Sequence, residues 1–189
     1  MARVGIRPGK LIARDDLTAL LWPDDPVEDA RERFRQTLSQ LRRSLQVDGA
    51  PLLLESDRQT VWARAESVES DVDSFERLVK RGLSDPGSAS SALEQALALY
   101  HGPLLPGWED EWVLQERDAL TLRRLQAAQA LARIYDQQGR SDEALELAYQ
   151  AARDDRLHEA THQWLLTLLV QRGQKSEALR RFQEFRDSL

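Results

Sequence analysis

The chain has 189 residues, 41% apolar and 31% charged, which is enough material for one large or two small folded domains. It carries no cysteine, so disulfides and thiolate metal sites are excluded and a reducing cytoplasm is the expected compartment. No apolar run approaches the about 18 residues of a membrane span, and the N-terminus lacks an apolar stretch of signal-peptide length. The net charge of −6 disfavours indiscriminate nucleic-acid binding, yet residues 30–45 hold five arginines against one glutamate, a basic island on an acidic protein.

In chain order, residues 10–22 read as a short extended piece followed by a helix. Asp15 or Asp16 is available as its cap, and Leu17, Leu20 and Leu21 supply its apolar face. Pro23 and Pro26 end it. A second helix is expected from Ala30 to about Gln46, closed by Gly49 and Pro51. Two strands, at about 52–55 and 60–64, flank Ser56-Asp57-Arg58-Gln59 and form a hairpin, although no glycine marks its turn. From Asp71 onward only helices are expected, over residues 72–83, 88–100, 111–138, 141–153, 157–172 and 176–189. Strand signals stop and helical period begins at residues 65–70, which places two domains at 1–66 and 70–189.

Within the helical part, Gly139, Glu143, Ala144 and Leu145 return as Gly173, Glu177, Ala178 and Leu179, an offset of 34 residues. That spacing is the period of a tetratricopeptide helix pair. Such pairs build surfaces that hold other macromolecules and seldom carry chemistry. The fold class is therefore mainly α, with one short β-hairpin and a C-terminal set of helical repeats.

Across residues 30–45, Phe34, Leu38, Leu41 and Leu45 fall on one narrow arc and form the buried stripe. Glu32, Gln36, Ser39, Gln40 and Arg43 cluster opposite. Arg33 sits on one flank; Arg31, Arg35 and Arg42 sit on the other. An outward face of Arg, Gln and Ser suits base edges in a major groove, where Arg reads guanine and Gln reads adenine. The flanking arginines would meet phosphates. A short helix, a loop, a basic helix and a hairpin, in that order, make the tail of a winged helix-turn-helix.

Several stretches carry a family resemblance. Residues 11–24, Leu-Ile-Ala-Arg-Asp-Asp-Leu-Thr-Ala-Leu-Leu-Trp-Pro-Asp, resemble the positioning helix of response-regulator-type winged-helix domains, and residues 38–45 resemble the end of their recognition helix. Residues 70–76 and 96–107, with Trp112, Arg117 and the repeats ending in Ala-Leu-Arg-Arg-Phe, resemble the bacterial transcriptional activator domain. The pairing is similar to the plan of the SARP/AfsR-like regulatory proteins. The resemblance implies a sequence-specific activator that binds double-stranded DNA. It puts Arg33, Gln36, Thr37, Gln40 and Arg43 toward the major groove and Arg58 in the wing. It also implies that the repeat domain assists dimerisation and meets RNA polymerase or another protein. Compared with that family, the N-terminal domain reads as shortened, because Gly5 and Pro8 sit where a first helix would run and disfavour it. Trp62 stands in place of the family's buried wing tyrosine.

One motif points elsewhere. His158-Glu159-Ala160-Thr161-His162 matches the H-E-x-x-H of zinc hydrolases, with Glu177 a nominal third ligand. At the start of a repeat helix, the ordinary reading is that His162 packs between helices and Glu159 favours the helix N-terminus. There is no phosphate-binding loop and no nucleophile elbow, so neither catalysis nor a cofactor or metal is expected. The chief rival is a protein-interaction scaffold whose degenerate winged helix no longer sees DNA.

Overall fold

The structure, a computed structural model, describes residues 2–46, 53–154 and 156–188. The chain divides into two compact units, residues 1–74 and 75–189. Among the described residues the architecture is mainly α, with one small antiparallel sheet.

The first unit opens with a single turn, α1 (Ala2–Gly5), which ends before Pro8. Gly5 and Pro8, which disfavour a longer helix, leave this one turn. Four residues suffice to bury Val4 completely, and Gly5 stands at the end of the turn, where its helix penalty is small. Strand β1 (Ile12–Ala13) leads directly into α2 (Arg14–Leu21), and α3 (Val27–Leu45) follows. The hairpin strands are β2 (Leu54–Ser56) and β3 (Thr60–Ala63). β3 lies in the middle of the sheet, paired with β1 through Ile12 and Val61 and with β2 through Leu54 and Ala63. Gly9, at a φ of 81°, turns the N-terminal segment so that its N–H reaches Ala63 O at 2.7 Å. Ser70 Oγ donates to Ile6 O at 2.6 Å. The core of the unit is Val4, Ile12, Leu17, Phe34, Leu38, Leu54, Val61 and Ala63.

Some local expectations shift. α2 begins after Ala13, without a side-chain cap, and Asp15 and Asp16 lie inside its first turn, where they favour the positive end of the helix dipole. α3 starts at Val27, three residues early, because Pro26 supplies a preset φ of −54° at its N-cap. Its buried stripe is Ala30, Phe34 and Leu38, with Leu41 half-buried; Leu45, expected inside, is exposed at the last turn. Gly49, Pro51 and Leu52 fall outside the described residues.

In the second unit α4 (Asp71–Ser84), which the division cuts, is followed by α5 (Ala89–Leu99), α6 (Glu111–Gln137), α7 (Ser141–Asp154), α8 (Glu159–Gln171) and α9 (Lys175–Arg186). From α5 on, helices next in sequence pack against one another. The 34-residue offset survives as geometry. Leu131 and Leu165 are both buried, as are Tyr135 and Leu169, and Ala144 and Ala178. Gly139 and Gly173 both take left-handed φ, 75° and 73°, just past a helix end. The residue after each closes the turn, with Arg140 N to Tyr135 O at 2.8 Å and Gln174 N to Leu169 O at 2.9 Å. The equivalence stops at α9: Leu145 and Ala148 are buried, whereas Leu179 and Phe182 are exposed. Arg117 donates to the carbonyls of Leu104 and Leu105 and so ties down the loop after α5.

Gly82 supplies a test of this packing. A Cβ built there would lie 2.6 Å from Leu93 Cγ and 3.2 Å from Ala89 O, and Leu93 is fully buried. Alanine gains about 1 kcal/mol of helix propensity, against roughly 1–3 kcal/mol for overpacking. Gly82→Ala is therefore expected to lower the urea midpoint; a midpoint equal to or above wild type would show that Leu93 moves aside freely.

Candidate nucleic-acid interface

α3 is phased by its apolar stripe, and this decides what faces out. Gln36, Ser39, Gln40 and Arg43 are all exposed, and Thr37 is half-buried on the edge. The arginines divide into two groups. Arg31 bonds to Asp15, at 3.3 Å from Nε to Oδ1, and to Glu28; this partnership with Asp15 raises the Arg31 pKa. Arg33 Nη1 lies 2.7 Å from Asp25 Oδ2, an ion pair without hydrogen-bond geometry. Arg35 pairs with Glu32, which also accepts from Gln36 Nε2 at 3.2 Å; these bonds, first that from Arg35, hold the Glu32 carboxyl below its usual range. By contrast, Arg43 reaches only Ser39 O of its own helix, at 3.4 Å, and has no carboxylate partner among the described residues. Among the described residues the arginines in the first half of α3 are thus paired with carboxylates, whereas Arg43 in its second half is not.

The hairpin is tied to the second half of α3. Arg42, half-buried, donates from Nε to Leu54 O at 3.0 Å and from Nη2 to Ser56 Oγ at 2.9 Å. The turn has no glycine because a side chain organises it. Asp57 Oδ1 accepts the N–H of Gln59 and of Thr60, each at 2.7 Å, and the Thr60 hydroxyl at 3.1 Å. The backbone bonds, that of Gln59 foremost, hold the Asp57 carboxyl below its ordinary range. Arg58 is exposed at the tip, with no carboxylate partner among the described residues. Trp62, expected to fill the place of a buried tyrosine, is instead half-buried on the other side of β3. Its indole donates to Glu55 Oε2 at 3.0 Å, because Val61 and Ala63 occupy the inward positions of the strand.

Arg14, at the head of α2, was not singled out in the sequence. Its guanidinium lies 5.4 Å above the Phe34 ring, and Nη1 donates to Asp57 O at 3.1 Å, so it links α2, α3 and the hairpin turn. The one available signal was an arginine next to the first acidic turn of the positioning helix.

The H-E-x-x-H segment does not converge. His158 Nδ1 meets Thr161 Oγ1 at 2.8 Å, while His162 Nε2 faces Arg156 O at 3.0 Å and its ring stacks on Phe185 with centroids 4.1 Å apart. Glu177 is engaged with Arg180 and Arg181. Among the described residues no three His, Cys, Asp or Glu side chains are grouped to hold a metal ion. Of the tryptophans, Trp22 and Trp164 are half-buried against the two cores, Trp62 and Trp112 are half-buried, and Trp108 is exposed.

A family model described as the bacterial transcriptional activator domain matches residues 70–189. No curated protein matches the chain.

The hairpin turn yields a pH prediction. A carboxyl held below its usual value stabilises the fold fully above that value, and the contribution fades as pH falls through the lower folded value. Amide protection at Gln59 and Thr60 should therefore be level from pH 7 to 5 and fall only below the ordinary Asp value of 3.8. Asp57→Ala should remove the protection at every pH, as hydrogen exchange would read; unchanged exchange in the variant would mean the strands alone hold the turn.

Proposed function

We propose, for a chain that belongs to the bacterial transcriptional activator domain family, that its N-terminal unit is a winged-helix reader of double-stranded DNA. The family is one of transcriptional activators, not of enzymes. In this reading α3 enters the major groove and presents Gln36, Gln40 and Arg43 to base edges, with Arg33, Thr37 and Ser39 beside them. Arg31 and Arg35 lie toward the backbone, and Arg58 at the hairpin tip reaches the neighbouring groove or its phosphates. The observation that carries the reading is the exposed amide-and-guanidinium surface of α3, with Arg43 uncompensated by any carboxylate among the described residues.

The pairing of Arg31, Arg33 and Arg35 with carboxylates favours the rival, a scaffold that no longer binds DNA. The Arg31 and Arg35 pairs are exposed, however, and such pairs are worth only about 0–1 kcal/mol each, so a phosphate can displace a carboxylate there at small cost, whereas Asp25 Oδ2 is buried and its pair with Arg33 is costlier to break. The repeat unit would dock RNA polymerase or another protein, and two-fold related half-sites follow if the protein forms a homodimer. The cytoplasm is the compartment that suits this work. No helix among the described residues is long and apolar enough to cross a membrane.

Selection of duplexes from a random pool tests the reading: a reader enriches a motif and loses affinity steeply as salt rises, whereas a scaffold does neither. On the selected duplex, Arg43→Ala should cost about 1–3 kcal/mol and relax base preference at one position. It leaves the fold intact, because its bond within α3 is replaceable by water; equal affinity of variant and wild type would remove Arg43 from the interface.

A further inference from the structure

Between α3 and the hairpin lies a concavity of about 260 Å³ lined by Arg14, Arg35, Arg42 and Arg43, with Ser39 and Ser56; among the described residues no carboxylate lines it. A smaller hollow of about 130 Å³ continues from it, sharing Arg14 and Arg35 and adding Arg31 and Arg58 beside the paired Asp15. Four guanidinium groups on one concave surface make a site for an oxyanion, since the planar fork of arginine matches phosphate oxygens. Two of the four are already ordered. Arg14 is held over Phe34 and by Asp57 O, and Arg42 by Leu54 O and Ser56 Oγ. Each retains guanidinium N–H groups beyond those bonds, and little side-chain entropy remains to be lost on binding. The nearby Asp57 carboxylate is turned to the N–H groups of Gln59 and Thr60.

The geometry points to a phosphate socket in which Arg14 and Arg42, with Arg35 released from Glu32, hold one phosphodiester of the DNA strand that runs between α3 and the hairpin, leaving Arg43 to the base edges. This rests on the DNA reading above. If a helix lies in the major groove and a hairpin tip reaches the adjacent minor groove, the sugar-phosphate strand that divides the two grooves must cross the concavity between them. Arg14, outside the recognition helix, is then a residue that fixes register without reading sequence.

The test uses the full chain and the selected duplex with methylphosphonate placed at one phosphate at a time. Wild type should lose roughly tenfold in affinity at one position in each half-site, and at that position Arg14→Ala should lose nothing further. Arg14→Ala should also weaken cognate and unrelated duplexes alike and lower the salt slope by about one, with Arg14→Lys in between. A variant with wild-type affinity, or one with the same methylphosphonate profile as wild type, overturns the socket. If wild type binds no duplex, the DNA reading falls by itself. Titration with inorganic phosphate then decides: movement of the Arg14 and Arg42 Nε–H resonances keeps an anion site, and still resonances remove it.

Discussion

Phe34 and Leu38, buried against Val61, Leu54 and Ile12, fix the rotation of α3, and everything proposed for the surface follows from that phase. Each such side chain contributes about 1.5–3 kcal/mol when fully buried. Turning the helix by one residue would rotate it 100° and carry Arg35 toward the apolar core, where an unpaired charge is far costlier than the packing it displaces. The amide-and-guanidinium face is therefore a consequence of the core. Arg42 then converts the rotation into a position, because its bonds to Leu54 O and Ser56 Oγ join the hairpin to that same helix.

Much of this was legible in the residues, and the parts that were not share a cause. The stripe of α3, the hairpin and the 34-residue repeat are periodic, and period is a local property of sequence. What could not be read is who meets whom across loops. Asp15 is a neighbour of Arg31 only once α2 folds back beside α3, and Asp25 of Arg33 only once the loop before α3 turns, so the basic island is less exposed in charge than its sequence suggests. Likewise, β1 is two residues long and becomes a strand only through Val61 and Thr60 of a hairpin nearly fifty residues away. Trp62 was misplaced because strand parity was assigned by analogy with a tyrosine, whereas Val61 and Ala63 set it.

The repeat unit shows how a short signature becomes structure. Gly139 and Gly173 earn their places by left-handed φ, which allows each helix to stop and the next to return along it. The small residues Ala144 and Ala178 are both buried at matching places in the helices that follow these glycines. The two histidines of the H-E-x-x-H segment look like a metal site in sequence because they are one turn apart. His158, however, stands at the N-cap of α8, where it meets Thr161, and His162 serves as an aromatic partner for Phe185.

The hairpin tip has a consequence for how such a surface could diversify. The Asp57 side chain organises the bend, and among the described residues none of positions 57 to 60 needs a left-handed backbone. Arg58 and Gln59 thus carry no folding duty through their side chains. An evolving lineage, or a library built at those two codons, could exchange them for almost any pair and explore new contacts while the scaffold beneath stays indifferent to the choice.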